Sequence, residues 1–169
     1  MDVNKFRETQ APLRDRYMQD AKAAFLTLKT HGTLGENTVT CKVETGRGLA
    51  TAGIHPKCGG PGLELCSGDM LLEALVACAG VSLKAAATML NVELKSAVVS
   101  AEGDVDLRGT LGVAEDVPVG FKEIRLRFDV ESDASKEKHD ELLKLVERYC
   151  VIFNTLQNGP KTDLRMNAA

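Results

Sequence analysis

One segment of the sequence, residues 67–90, is apolar on nearly every side of the helix that it would form. Between Met70 and Leu90 the only charged residues are Glu73 and Lys84, alanine is frequent and proline is absent. A helix that is apolar all round must be buried over most of its surface. Because a single sheet covers only one side of such a helix, we expect a second copy of the chain to cover the other side.

The segments around this helix show the patterns of strands and amphipathic helices. Apolar and polar residues alternate along 97–107 and again along 124–131, which predicts two antiparallel strands with one solvated face. The other predicted elements are a helix over 9–30, strands over 38–44, 49–54 and 161–166, loops over 56–62 and 108–120, and a helix that starts near 133–135 and ends before Cys150. Strands that follow one another in pairs indicate an α+β fold. We expect one domain over 34–169, preceded by a helical extension over 1–33.

The composition argues against several classes of function. The chain has 21 Lys and Arg against 24 Asp and Glu, a net charge of −3, whereas nucleic acid binding requires a clustered basic excess. The chain has no uncharged run of about 18 apolar residues, so no membrane span is expected. Residues 1–16 lack the pattern of a signal peptide, so a cytoplasmic location is expected. The 5 cysteines and 3 histidines show no zinc-ligand spacing, and we expect no metal and no bound cofactor.

Two cysteines are candidates for thiol chemistry, with simple packing as the alternative for each. Cys78 lies about two and a half turns inside the apolar helix, too far from its N-terminus to be activated there. Cys150 lies where a new helix starts, and free N–H groups there would lower its pKa. This argument alone makes Cys150 the better nucleophile. Cys58 and Cys66 flank a loop, and their spacing of eight positions allows a disulfide, but they are expected to be free thiols; Cys41 is expected in the core.

Three charged residues have both a structural and a functional interpretation. Arg47, between two glycines, is either a solvated turn residue or a guanidinium that stabilises a thiolate. Asp69 either stabilises the start of the helix or orients Arg47. Glu73, one turn inside the apolar helix, requires a partner or the mouth of a site. Arg47, or Lys84 of a second chain, would be such a partner.

Residues 66–78 read C-S-G-D-M-L-L-E-A-L-V-A-C and resemble the segment of the OsmC/Ohr family that reads roughly P-x-E-L-L-L-A-A-L-A-A-C. In that family the last cysteine lies inside a central buried helix. A second cysteine follows a later helix in the context C-P-V, where this chain reads Cys150-Val151-Ile152. The order of predicted elements from about 34 to 166 is also similar. The resemblance implies antiparallel sheets wrapped around a long buried helix, in an intertwined homodimer with two sites at the subunit interface.

The resemblance also implies a thiol-dependent peroxidase that acts in oxidative stress defence. Cys78 would attack an organic or small hydroperoxide and become a sulfenic acid, and Cys150 would resolve it as a disulfide. Asp69 stands where the family has glutamate, and Arg47 is the counterpart of the arginine that activates the thiolate. An external dithiol or a lipoylated protein would reduce the disulfide.

A binding protein is the alternative from a different class. The same dimer could hold a small molecule or an acyl group in an apolar pocket without catalysis, lined by Met70, Leu71, Val151 and Phe153. Such a protein has no need of a lowered Cys78 pKa, which distinguishes the two hypotheses. A third possibility is a redox-stress protein whose thiols form disulfides without turnover.

Overall fold

The computed structural model describes residues 8, 12, 16, 19, 20, 23, 27, 32–34, 40–45, 48–112 and 114–167, with the backbone alone over 32–34 and 40–45. The predicted helix over 9–30 therefore lies largely outside the described residues, as do Arg47 and the side chain of Cys41. Contacts within the chain define two compact units, 1–51 and 52–169. The predicted boundary after residue 33 stays a prediction.

The first unit contains short strands that agree with two of the predicted ones. Strand β1 (Gly32–Leu34) pairs antiparallel with β2 (Thr40–Thr45). Strand β3 (Gly48–Gly53) follows and continues into the second unit. There, its last two residues pair in parallel with β4 (Leu65–Cys66).

The central element of the second unit is the helix α1 (Ser67–Leu90), which confirms the helix predicted from the apolar segment. It ends at Asn91, whose φ of 54° is left-handed and whose backbone N–H donates to the carbonyls of Ala87 and Thr88. Asparagine tolerates this conformation better than most residues. By length and composition alone α1 could also cross a membrane, with a mean hydropathy of 1.7. That is weak evidence for a span, because the core helix of a folded domain passes the same test.

A long hairpin packs against α1. Strands β5 (Ser96–Val105) and β6 (Phe121–Glu131) pair antiparallel, with Val99 opposite Phe128. The alternate residues of β6 face the core, and Arg125 on the outer face forms ion pairs with Glu102 and Asp104. The prediction of an antiparallel pair with one solvated face is confirmed.

The segment predicted as a loop over 108–120 begins with one helical turn, α2 (Leu107–Thr110). The side chain of Asp106 accepts a hydrogen bond from the backbone N–H of Arg108 and caps this turn. A local side-chain cap of this kind is sufficient to nucleate a single turn where the apolar periodicity predicts none.

Two further helices complete the second unit. Helix α3 (Lys136–Tyr149) begins at Ser135, whose hydroxyl accepts from the N–H of Lys138, and α4 (Val151–Gln157) follows directly. Cys150 separates them in an extended conformation, with a ψ of 109°. Both helices pack along α1. The core consists of Ala79, Leu83, Ala86, Ala87, Leu142, Val146 and Cys150.

Two sequence-based predictions in this region are wrong. The amphipathic pattern of the helix before Cys150 predicts that Leu142, Leu145, Val146 and Tyr149 face inward. Tyr149 is instead exposed, and the guanidinium of Arg148 lies over its ring. The buried residues of α3, Leu142 and Val146, are four positions apart, and Cys150 is four positions further on. Cys150 therefore occupies the next buried position and Tyr149 faces solvent.

The strand predicted over 161–166 is also absent. Residues 159–167 have no regular secondary structure. Leu164 and Met166 are 98% and 92% exposed. A strand needs a neighbour for its backbone hydrogen bonds, and none of the residues described in this structure pairs with the segment.

Candidate functional site

Two cysteines far apart in the sequence meet in the second unit. Cys78 lies half-buried on α1, and Cys150, between α3 and α4, has 0% of its surface exposed. Both are free thiols. Their side chains are in polar contact, and Cys78 packs against the core cluster that contains Cys150. The structure therefore brings together the two cysteines that the sequence analysis singled out.

The surroundings of Cys78 favour its thiolate. Burial by itself raises the pKa of this thiol, but polar contacts from several donors outweigh it, so the pKa lies below that of an ordinary thiol. The donors are the backbone N–H of Ile152, the thiol of Cys150, the backbone N–H of Val151 and the hydroxyl of Ser82. Two of the four are main-chain groups at the start of α4.

The surroundings of Cys150 favour its neutral thiol. Burial raises its pKa, and so do the hydrogen-bonding contact with Cys78 and the charge of the Cys78 thiolate. The prediction that the start of the new helix makes Cys150 the better nucleophile is therefore wrong. The backbone N–H of Phe153 does contact the sulfur of Cys150 and lowers its pKa, but burial and Cys78 outweigh it, and the N–H groups of Val151 and Ile152 contact the sulfur of Cys78.

The predicted acid lies away from the thiol pair. Asp69 is exposed in the first turn of α1, nine positions before Cys78, which corresponds to about 13 Å along a helix axis. It lines a separate cavity of about 570 Å³ that also contains Cys58 and Cys66. Those two cysteines are free thiols, as predicted. Arg47 lies outside the described residues.

A largely apolar cavity of about 560 Å³, which Lys122, Glu123 and Gln157 also line, opens beside α1 and α4. Its apolar lining consists of Leu71, Leu75, Phe121, Ile124, Leu126, Phe153 and Leu156. Of the four residues predicted to line an apolar pocket, it contains Leu71 and Phe153. Leu71, Leu75 and Cys78 are spaced four and three apart, so they share one face of the helix. The cavity and the thiol thus lie along the same side of α1.

Ser82 is the one residue of this cluster that the sequence analysis did not identify. Its hydroxyl is in polar contact with the sulfurs of both Cys78 and Cys150. A signal was present, because Ser82 is a polar residue four positions after Cys78 in a largely apolar helix, and that spacing places two residues on one face. In the part of the chain that the structure describes, no group of three or more His, Cys, Asp or Glu could hold a metal ion.

Comparison with known proteins agrees with this arrangement. The family model described as OsmC-like protein matches residues 60–165. The chain belongs to the OsmC-like protein family. The match includes both cysteines of the pair and all of α1. No curated protein matches this OsmC-like chain.

Solved structures with the same fold support the assignment. An OsmC-like protein from Mycoplasma pneumoniae is 19% identical, with a TM-score of 0.66 over 79% of this chain and 89% of that one. An organic hydroperoxide resistance protein from Elizabethkingia anophelis is 14% identical, with a TM-score of 0.64 over 80% of this chain and 91% of that one. Another organic hydroperoxide resistance protein, from Legionella pneumophila, is 12% identical, with a TM-score of 0.62 over 79% of this chain and 93% of that one. The predicted OsmC-like α+β fold is confirmed, whereas the dimer and the N-terminal helix stay predictions.

The lowered pKa of Cys78 predicts how alkylation of this OsmC-like protein depends on pH. A thiolate reacts and a thiol does not, so the rate at Cys78 rises with pH and reaches half its maximum at a lower pH than the rate of an ordinary thiol. Iodoacetamide labelling followed by peptide mass spectrometry measures this midpoint. In the unfolded chain, where the donors are lost, the midpoint should return to the ordinary value. A folded-state midpoint at or above the unfolded one would contradict the prediction.

Proposed function

We propose that the chain is a thiol-dependent peroxidase that reduces organic or small hydroperoxides and serves in oxidative stress defence. The observation that carries the proposal is the contact between a half-buried Cys78 whose pKa is lowered and a buried Cys150 whose pKa is raised. A peroxidatic cysteine needs a reachable thiolate, and a resolving cysteine must wait nearby as a thiol. Two structural relatives named as organic hydroperoxide resistance proteins are consistent with it.

The proposed reaction uses the two sulfurs in sequence. The thiolate of Cys78 attacks the terminal oxygen of the hydroperoxide, the O–O bond breaks, and the alkoxide takes up a proton and leaves as an alcohol. Cys78 is then a sulfenic acid. The sulfur of Cys150 attacks it, water is released and a disulfide forms. An external dithiol or a lipoylated protein reduces the disulfide and restores both thiols.

The apolar cavity beside α1 supports an organic substrate. Leu71 and Phe153 belong to its lining, and an apolar wall stabilises the hydrocarbon part of a ligand by about 25 cal/mol for each Å² removed from water. The same cavity favours the alternative function, a non-catalytic dimer that binds a small molecule or an acyl group. Binding alone does not require a lowered pKa at Cys78, so the peroxidase is the function that the site supports better.

Arg47 and Asp69 are proposed as auxiliary residues. Because Asp69 lies about 13 Å along α1 from Cys78, we propose that it acts on the thiolate through another group, the positively charged guanidinium of Arg47. Among the residues that the structure describes, no ion pair of Asp69 is recorded.

The catalytic unit is proposed to be a homodimer. One face of α1 is exposed and carries small apolar residues, Ala74, Ala77 and Val81, with Val81 72% exposed. Glu73 and Lys84 lie at opposite ends of this face. Two such helices crossing antiparallel would bury the apolar residues and place Glu73 of one copy near Lys84 of the other, so the charges are complementary.

Stoichiometric oxidation tests the proposal. The fully reduced protein is treated with one equivalent of cumene hydroperoxide, and its disulfides are mapped by peptide mass spectrometry. We expect a rapid and selective bridge between Cys78 and Cys150, followed by steady consumption of peroxide once a dithiol is supplied. Slow oxidation scattered over all five thiols would refute the peroxidase and favour the binding protein. Sedimentation equilibrium of the reduced protein tests the dimer, since a mass of 18.2 kDa would contradict it.

A further inference from the structure

The cavity that supports an organic substrate has a second cavity next to it. The first, of about 560 Å³, lies beside α1 and α4, and the second, of about 570 Å³, lies at the start of α1. In the part of the chain that the structure describes, Gly120 and Phe121 are the two residues that line both cavities. Because Gly120 has no side chain, the ring of Phe121 is the side chain that separates them.

Two glycines make room for this ring. A Cβ atom on Gly103, in β5, would lie 2.4 and 2.5 Å from two ring carbons of Phe121, closer than real Cβ atoms approach. A Cβ atom on Gly68, in the first turn of α1, would lie 3.5 Å from the outermost ring carbon. The ring therefore lies between the hairpin and the start of the helix, and a side chain at position 103 would displace it.

The position of the ring determines how far a substrate chain can extend from the thiol. Leu75 and Leu71 line the first cavity and share one face of α1 with Cys78, so the cavity extends from the thiol towards the start of the helix. Gly68, next to the ring, precedes Cys78 by ten positions, which corresponds to about 15 Å along a helix axis. Beyond the ring the second cavity has further apolar walls, formed by Ile54, Leu72, Val105, Leu107 and Val119.

We propose that Phe121 sets the length of the linear alkyl chain that this protein accepts in a hydroperoxide. The inference rests on the peroxidase proposed above and names a specificity-determining residue of the same site. A short chain lies between Cys78 and the ring, and each methylene group that it buries strengthens binding about fourfold. A chain that reaches the ring gains nothing from further methylene groups, because the aromatic side chain fills the passage to the second cavity.

A series of linear alkyl hydroperoxides tests the proposal. The value of kcat/KM is measured with butyl, octyl and tetradecyl hydroperoxide in an excess of dithiol. In the wild type it should rise from butyl to octyl and rise no further at tetradecyl. In Phe121→Ala, which joins the two cavities, the tetradecyl-to-octyl ratio should increase on the order of tenfold, the gain from about two more buried methylene groups.

Two further variants control for folding and for general loosening of the hairpin. Phe121→Leu keeps an apolar side chain of smaller volume and should raise the same ratio by a smaller factor, which preserves the test if Phe121→Ala does not fold. Phe128→Leu is the matched control, because Phe128 lies on the same strand but packs against the core cluster and lines neither cavity. Its tetradecyl-to-octyl ratio should equal that of the wild type.

Binding of the corresponding alcohols separates the role of Phe121 from the peroxidase. Primary alcohols of the same three chain lengths carry no O–O bond, so they can occupy the cavity without oxidising Cys78. They should protect Cys78 from iodoacetamide, and the concentration that gives half protection should depend on chain length as kcat/KM does. The same variants should shift this dependence in the same direction.

The possible results distinguish the chain-length limit from the peroxidase. If wild-type kcat/KM keeps rising from octyl to tetradecyl, or if neither Phe121 variant changes the ratio, the limit is overturned and the peroxidase stands. If Phe128→Leu raises the ratio as much as Phe121→Leu, loosening of the hairpin is the cause, which also overturns the proposal. If the wild type consumes none of the hydroperoxides, the peroxidase fails, and protection by the alcohols alone supports or overturns the role of Phe121.

Discussion

Replacing Cys78 by serine is expected to abolish the consumption of hydroperoxide. The donors around position 78 remain, but a serine hydroxyl does not ionise near neutral pH, and no thiolate is left to attack the O–O bond. The rate of consumption should fall by a factor on the order of 10³ or more, which corresponds to a barrier higher by about 4 kcal/mol. A steady-state assay with cumene hydroperoxide and an excess of dithiol measures it.

The control for this change is a cysteine outside the site. Cys58 is a half-buried free thiol in a different cavity, so Cys58→Ser should consume hydroperoxide at the wild-type rate. Circular dichroism and thermal unfolding should show that both variants are folded, because serine and cysteine differ little in volume. If folded Cys78→Ser consumed hydroperoxide at the wild-type rate, the reactive thiol would be a different cysteine.

Replacing Cys150 by serine is expected to leave the oxidation of Cys78 to a sulfenic acid unchanged. It should remove the disulfide that protects this sulfenic acid from further oxidation. Serine at position 150 can still donate to the sulfur of Cys78, so a sulfenic acid forms at a rate near that of the wild type. Without a second thiol this sulfenic acid reacts with more hydroperoxide and becomes the sulfinic acid, which thiols do not reduce. With excess hydroperoxide and no dithiol, mass spectrometry should show two added oxygen atoms on the Cys78 peptide.

The wild type treated in the same way should stop at the disulfide, and Cys66→Ser should do the same. These two proteins separate the loss of the resolving thiol from a general effect of removing a cysteine. Resistance of Cys150→Ser to overoxidation would show that another thiol, or no thiol, completes the cycle.

The fold was predictable where one pattern dominates a segment. The apolar run over 67–90 gives a helix with those bounds, because a long apolar segment without proline favours a helix that packs against neighbouring elements. The alternation along β6 is equally direct, since one face meets α1 and the other meets solvent. The segment over 161–166 shows the opposite case. Its alternation resembles that of a strand, but a strand also needs a neighbour, which a local pattern does not reveal.

The two cysteines of the site were predictable, but the groups that surround each of them were not. The resemblance paired Cys78 with Cys150, but the sequence alone assigned to Cys150 the free N–H groups that the fold divides between the two thiols. That assignment depends on where the junction after α3 lies against α1, which is a matter of tertiary packing. Ser82 differs, because its spacing from Cys78 is a local property that a search for polar residues on that face of the helix would have found.

The break between α3 and α4 at Cys150 affects which substitutions the thiolate site can tolerate. In an unbroken helix the N–H groups of Val151 and Ile152 would bond to the carbonyls of Glu147 and Arg148. Here the side-chain amide of Asn154 contacts those two carbonyls, and both N–H groups are left for the sulfur of Cys78. Main-chain donors of this kind survive replacement by any residue except proline.

Proline is the residue that the C-P-V context of the family has at the position of Val151. This chain can therefore offer its thiolate one main-chain donor that a protein with that pattern lacks.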